Sequence, residues 1–309
     1  METLDIVSSA LNEEGNIENF YERLQSTMKV IPIDSWRLII CDNGSTDNTW
    51  KLICDLAKRY PNVKGLRMSK MFSLDQALTA GLERANADAV VMMASDLQDP
   101  PEVIQDLFSK WREGFPHVVV RITEREGVSK LRKFLTFRYY KISNWASEGQ
   151  LPINVSDFRL MSKVVYEAVV AVKERHRFMR GIVASLGFPT AYIDIKRPAR
   201  ESGVSSTNYW YLITWSLRGI LANSLKPIRF ISISGFILSV ISILCTFVMA
   251  GFWLYRGTPF AGFGTIVGIL MTAFSLTLGI LGILAEYIAL IYGEVKARPQ
   301  YIVWEEVGS

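Results

Sequence analysis

The chain has 309 residues, half of them hydrophobic and 21% charged, with 34 Lys and Arg against 30 Asp and Glu for a net charge of +4. That composition excludes a disordered or collagen-like chain, and the length suggests about two domains. Three cysteines, Cys41, Cys54 and Cys245, show no disulfide or zinc-binding pattern and fit a reducing compartment.

Met1-Glu2-Thr3 leads directly into the apolar run Leu4–Ala10, so no signal peptide is expected and the N-terminal part is expected to stay in the cytosol. Leu4–Ala10, Arg37–Cys41, Ala89–Ala94 and His117–Ile122 read as short strands rich in apolar and β-branched residues. Helical stretches lie between them: Asn16–Val30, Asn48–Tyr60, Leu74–Ala85 and Pro100–Glu113. The third carries Leu74, Ala77, Leu78 and Leu82 at helical spacing, and the fourth opens on Pro-Pro. Strands alternating with helices predict a mainly parallel α/β sheet over residues 1–205.

Residues 128–148 mix Lys130, Arg132, Lys133, Arg138 and Lys141 with five aromatic rings, which suits a helix in a lipid headgroup layer. Residues 206–227, with Tyr209, Trp210, Tyr211, Trp215, Arg218 and Lys226, predict a juxtamembrane amphipathic helix. From Phe230 to Tyr255 there are 26 residues without a charge, and from Gly257 to Ala285 another 29. A hydrocarbon core of ~30 Å needs about 20 helical residues, so both runs predict spans, forming a hairpin over 228–293. Arg218, Lys226 and Arg229 precede the first run, Lys296 and Arg298 follow the second, and only Arg256 lies between them. The positive-inside rule then puts both termini, including the tail 294–309, in the cytoplasm of a cell whose plasma (inner) membrane holds the hairpin. Gly264 and Gly268 form a small-xxx-small pair, which can let helices associate and makes a homo-oligomer an open expectation. No nucleic-acid partner is expected.

Three strand ends carry polar clusters: Asn12-Glu13-Glu14, Asp42-Asn43-Gly44-Ser45-Thr46-Asp47, and Asp96-Leu97-Gln98-Asp99. Parallel strands bring their carboxyl ends to one rim, where open α/β sheets bind ligands. Singly, each cluster is also ordinary turn chemistry. Together they offer oxygen ligands for Mg²⁺ or Mn²⁺, which would in turn hold a diphosphate.

With Ala77-Leu78-Thr79-Ala80-Gly81-Leu82, Asp96-Leu97-Gln98-Asp99-Pro100-Pro101, Ser156-Asp157-Phe158-Arg159-Leu160, Arg177-Phe178-Met179-Arg180-Gly181 and Arg200-Glu201-Ser202-Gly203-Val204-Ser205 added, the chain resembles the family 2 glycosyltransferases of GT-A (Rossmann-like) fold. The nearest group is the polyprenyl-phosphate sugar transferases, related to dolichyl-phosphate mannose synthases and the bactoprenol glucosyltransferases. The resemblance implies that Asn12, Glu14, Asp42 and Asp96 hold a nucleotide sugar, with UDP-glucose favoured. It implies a divalent metal on Asp96 and Gln98, and Asp157 at the position of the family's proposed base. Ala94 stands where that family's metal motif has its first Asp, so more of the metal's shell falls to the diphosphate and water. Ser9 and Ser206 depart from a usual Pro and Lys.

A lipid phosphate acceptor needs cations, and Arg grips phosphate oxygens two at a time. Arg121, Arg125, Arg132, Lys133 and Arg200, with Ser205, are the candidates. The expected reaction is inverting transfer of a sugar to a polyprenyl phosphate at the cytosolic membrane face. A phosphate monoester whose second pKa is near 6 is largely dianionic there, so Asp157 is expected to orient the acceptor or stabilise developing positive charge more than to abstract a proton. The alternatives are a processive polysaccharide synthase, for which the chain lacks a Gln-x-x-Arg-Trp motif, and a non-catalytic nucleotide-sugar-binding subunit.

Overall fold

The computed structural model describes residues 2–125, 155–174, 177–197, 262–296 and 299–308, together with 237, 244, 248 and 255. The chain forms two compact units. One comprises residues 1–144, 149–209 and 298–309, and the other residues 145–148 and 210–297.

The first unit is built on an eight-stranded sheet. Its strands are β1 Thr3–Ala10, β2 Ser35–Asp42, β3 Val63–Met68, β4 Ala89–Ala94, β5 His117–Arg125, β6 Val155–Ser162, β7 Thr190–Arg197 and β8 Val303–Val307, in the order β7-β5-β6-β4-β1-β2-β3-β8. Strands β1 to β4 pair in parallel, as the alternation of strands and helices predicted. Strand β6 runs antiparallel to both β4 and β5, and β8 antiparallel to β3. The sheet is therefore mixed.

Both faces are covered. Along β1 the side chains alternate: Leu4, Ile6 and Ala10 join one apolar cluster and Val7 the other. Helices α1 (Ile17–Met28), α2 (Thr49–Arg59) and α4 (Ile104–Arg112) bury their apolar stripes in the first cluster. Helices α3 (Leu74–Leu82), α5 (Lys163–Ala171) and α6 (Met179–Ser185) do so in the second. Strands flanked by helices on both sides read as near-continuous apolar runs, which is why β4, Ala-Val-Val-Met-Met-Ala, was legible. Gly81 lets α3 lie close on the sheet: a Cβ there would meet the Val7 Cγ1 at 2.4 Å.

Within the segment expected as a cytosolic tail, Val303–Val307 forms β8 and pairs with β3. That strand covers the edge of β3, which would otherwise expose unpaired backbone groups. The second predicted span coincides with helix α7, Phe263–Val295, of 33 residues. Its backbone is described throughout but the side chains at many of its positions are not, and nearly all of the first span lies outside the described residues. Among the described residues no helix is long and apolar enough to cross a membrane. The expected interfacial segments 128–148 and 206–227 also lie outside them.

Candidate active site

The topology brings the candidate residues to one rim. The carboxyl ends of β1, β2 and β4 carry Asn12, Asp42 and Asp96. Because β6 runs the opposite way, with Arg159 opposite Met92 of β4, its beginning arrives at that same rim and delivers Asp157 beside them. Strand β5 runs antiparallel to β6, so its end, Arg121 to Arg125, lies there too.

The first two loops are stitched together. Asn12 adopts a left-handed backbone with φ 55°, which Asn tolerates better than most residues. Its N–H donates to the Ser45 hydroxyl at 3.0 Å, and its side-chain carbonyl accepts the Thr46 N–H at 2.9 Å. One Glu14 oxygen accepts both the backbone and side-chain N–H of Asn48 at 3.0 Å, while the Glu14 N–H donates to Asp47. Burial would raise the Asp47 carboxyl, but bonds from the Thr49 hydroxyl and N–H and from the Glu14 N–H outweigh it and hold the group below the usual carboxylate range. Asn12 and Glu14 thus brace the loop in addition to any ligand role.

Gly44 completes this loop. Its φ is +78°, and a Cβ would stand 2.7 Å from the Met71 nitrogen and 2.8 Å from the Lys70 carbonyl carbon. Only glycine lets segments 42–48 and 69–73 approach this closely. Asn43 then locks the approach by exchanging two hydrogen bonds with the Phe72 backbone, both 2.9 Å.

Asp42 is fully buried. Its Oδ1 accepts the Ser45 N–H at 3.1 Å, whereas its Oδ2 has no hydrogen-bond partner and lies 4.0 Å from the Arg67 Nε. Burial raises the carboxyl above its ordinary value, opposed by the Ser45 bonds and the Arg67 charge. A buried carboxylate oxygen without a donor is costly and calls for one. Arg67, from β3, was not singled out in the sequence, where it is one cation among 34.

The loop after β4 places Asp96, Gln98 and buried Asp99 within four residues. Asp96 Oδ1 accepts the Gln98 N–H at 3.2 Å. Between them Leu97, 6% exposed, has φ 57°. A bulky residue held in that region costs of order 1–3 kcal/mol, the kind of strain found at functional loops. Among the described residues no cluster of three or more His, Cys, Asp or Glu side chains could cage a metal. Asp96 and the Gln98 side-chain carbonyl do suit a hard cation that takes most of its ligands from diphosphate and water, as Mg²⁺ commonly does.

Asp157 meets Arg180 of α6 in a two-bond fork, Nε to Oδ1 at 2.9 Å and Nη2 to Oδ2 at 2.7 Å. Fully buried Arg159 backs it, donating to the Ser156 and Asp157 carbonyls, with its Nη2 3.6 Å from Asp157 Oδ1. A further carboxylate belongs here that the sequence reading missed. Asp75 sits in the first turn of α3, which Ser73 and Gln76 start with a reciprocal capping box. Burial pushes the Asp75 carboxyl up to about 7, and the Asp157 charge adds to this; Arg180 and a hydrogen bond from the Met179 N–H oppose. The helix start hid Asp75, since an acidic residue there is ordinary capping chemistry.

Arg121 lies exposed at the rim, forked onto Asp194 of β7 at 2.6 and 2.8 Å, with its guanidinium over Tyr192. Solvent screens an exposed pair of this kind, so exchanging Asp194 for a phosphate is cheap. Arg125 ends β5 and its side chain is not described. Arg132, Lys133, Arg200 and Ser205 fall outside the described residues.

One rim of the mixed α/β sheet thus gathers an orphaned buried carboxylate at Asp42, a strained acidic-amide loop after β4 and an Arg-clamped aspartate at Asp157. The chain belongs to glycosyl transferase family 2: residues 5–170 match that family's model. It is 35% identical over 301 residues to the SfII prophage-derived bactoprenol glucosyl transferase of Shigella flexneri, covering 97% of each chain. It is 33% identical over 300 residues to an uncharacterized glycosyltransferase of Synechocystis, covering 97% of this chain and 94% of that one. The structure is similar to glucosyl-3-phosphoglycerate synthase from Mycobacterium tuberculosis in complex with Mn²⁺, UDP-glucose and phosphoglyceric acid. That match has a TM-score of 0.50 and 19% identity, and covers 72% of this chain and 78% of that one; a likeness at this level speaks to the fold. The protein is a glycosyltransferase.

Proposed function

We propose that this enzyme transfers glucose from UDP-glucose to a polyprenyl phosphate, with inversion, at the cytosolic face of the membrane. The observation that carries the reading is the reversal of β6, which sets Asp157 at the same rim as Asp42 and Asp96. Relatives named bactoprenol glucosyl transferase over nearly the whole chain support the lipid acceptor and the sugar.

The Asp42 Oδ2 suits a base N–H, and Arg67 beside it suits the adjacent carbonyl. Asp96 with the Gln98 side-chain carbonyl would hold a divalent cation on the donor diphosphate, and when bound that ion supplies charge neutralisation for the departing nucleotide. An oxygen of the lipid phosphate attacks the anomeric carbon, and the bond from that carbon to the diphosphate oxygen breaks on the opposite side, releasing UDP. The dianionic phosphate needs no deprotonation. Asp157, held in orientation by Arg180, faces the positive charge that develops at the sugar carbon. Arg121, once released from Asp194, and Arg125, with Arg132, Lys133, Arg200 and Ser205, are assigned to the acceptor phosphate.

The two uncharged runs of 26 and 29 residues support a membrane hairpin. The return of residues 298–309 to the first unit supports it further, because a segment that leaves and re-enters one domain crosses a bilayer an even number of times. Basic residues on both flanks support a cytosolic catalytic unit.

The test uses the purified full chain with labelled UDP-glucose, Mn²⁺ and undecaprenyl phosphate in detergent micelles. Labelled glycolipid should form, its anomeric linkage opposite to the donor's, and Asp157→Asn should cut kcat by about a hundredfold or more while UDP binding persists. No lipid-linked label with any common nucleotide sugar, or an unimpaired Asp157→Asn enzyme, refutes the reading.

A further inference from the structure

The pairing of β8 with β3 is irregular at one place. Arg67 faces Glu305 and Met68 faces Val303, so Trp304 has no cross-strand partner of its own in the ladder. Bulges of this kind re-aim side chains and recur beside active sites. Here the irregularity turns two consecutive residues of β8 toward one neighbour, against the usual alternation of a strand. The Arg67 guanidinium carbon lies 5.4 Å from the Trp304 ring centroid, and the Glu305 Oε2 lies 3.6 Å from its Nη1. Trp50, from the first turn of α2, stands 5.6 Å from the same carbon. Two indoles and a carboxylate therefore hold this guanidinium, and its Nε comes to 4.0 Å from the buried Asp42 oxygen that lacks a hydrogen bond.

Trp304 is 72% exposed, against 8% for Trp50. So large a ring left in solvent adds little burial energy to the edge strand. Its stacking on Arg67 does constrain a side chain that otherwise has many rotamers.

We propose that Trp304 is a positioning residue for donor selection: by stacking on Arg67 it holds an N–H donor beside the Asp42 acceptor, a pair complementary to a base edge with a carbonyl next to an N–H. Uracil has that edge. Cytosine held in the same pose by its ribose and diphosphate turns an amino group toward Arg67 and a bare ring nitrogen toward Asp42, donor against donor and acceptor against acceptor. Without the Trp304 indole, only Trp50 opposes the pull of Glu305 on Arg67, so the guanidinium shifts toward Glu305 and the carbonyl of the base loses its donor while Asp42 keeps its own bond. The C-terminal strand, which follows the apolar unit in the chain, thereby takes part in nucleotide recognition at the far end of the sequence. This inference rests on the reading that a uridine nucleotide binds at Asp42.

The experiment measures UDP and CDP binding by calorimetry on the detergent-solubilised full chain, comparing the unaltered protein with Trp304→Ala, Trp304→Phe and Asp42→Asn. Trp304→Ala should raise the Kd for UDP by about five-fold and leave the weak CDP binding unchanged, so the preference between the two narrows. With UDP-glucose as donor, KM should rise and kcat hold. Trp304→Phe, which keeps a ring face, should restore most of the preference. Equal weakening for UDP and CDP, accompanied by a lower melting temperature, would reveal a merely structural tryptophan and overturn the proposal, as would an unchanged preference. If Asp42→Asn binds UDP like the unaltered protein, the base does not sit at Asp42, and the donor reading and this inference fall together.

Discussion

Replacing Arg180 by Ala is expected to damage transfer more than stability. The Asp157–Arg180 fork has two bonds, at 2.9 and 2.7 Å, between side chains that are each about one quarter exposed. A hydrogen bond to a charged group contributes ~1.5–3 kcal/mol, so the pair of them sets an upper figure of roughly 3–6 kcal/mol. Partial solvation lowers that figure, and Arg159, 3.6 Å from Asp157 Oδ1, stays behind as a second cation. A loss of about 2 kcal/mol is then expected, or roughly 4–8 °C in Tm for a domain of this size. The kinetic cost is larger because Asp157 loses the contact that orients it. A group misplaced by about an ångström costs on the order of a hundredfold in rate, and that fall in kcat is expected. Arg180→Lys keeps the charge but cannot form the fork, so it should land between the two. Thermal melts and single-turnover glycolipid formation measure both quantities. An Arg180→Ala enzyme with kcat within about twofold and Tm within about one degree of the unaltered protein would show that the fork neither orients Asp157 nor stabilises α6 against β6.

Asp75 gives a pH signature with a definite sign. Its carboxyl lies at about 7 in the folded protein against an ordinary 3.8, through burial first and the Asp157 charge second, so the folded state binds this proton more tightly than the unfolded one. Stability should therefore fall as pH rises from about 4 through about 7. Asp75→Asn, which mimics the protonated group, should flatten that slope and melt higher than the unaltered protein at pH 8; parallel Tm–pH curves for the two would refute the assignment. Gly44→Ala should destabilise by about 2 kcal/mol or more, because a side chain at φ +78° is strained and its Cβ would collide with the Lys70 and Met71 backbone. UDP affinity should drop with it, and thermal melts with calorimetry check both.

The chain order of residues declares the four apolar strands that lie buried under helices, because burial on both faces leaves continuous runs such as Ala89–Ala94. It also declares the polar loops at their ends and the motif residues Asp42, Asp96 and Asp157. Strands near or at the sheet's edges were illegible for the same physical reason: β3, Val-Lys-Gly-Leu-Arg-Met, and β8, Val-Trp-Glu-Glu-Val, face solvent enough to carry charge and lack an apolar run. Strand β6 held a recognisable motif, yet nothing local states that it runs backward, and this direction is what delivers Asp157 to the rim. Arg67, Asp75 and Arg180 acquire meaning only through partners far along the chain, Asp42 and Trp304, Asp157, and Asp157 again. Local pattern reports whether a residue is buried or turns the chain; which distant charge it meets depends on strand order and direction, and those are set by the packing of the whole domain.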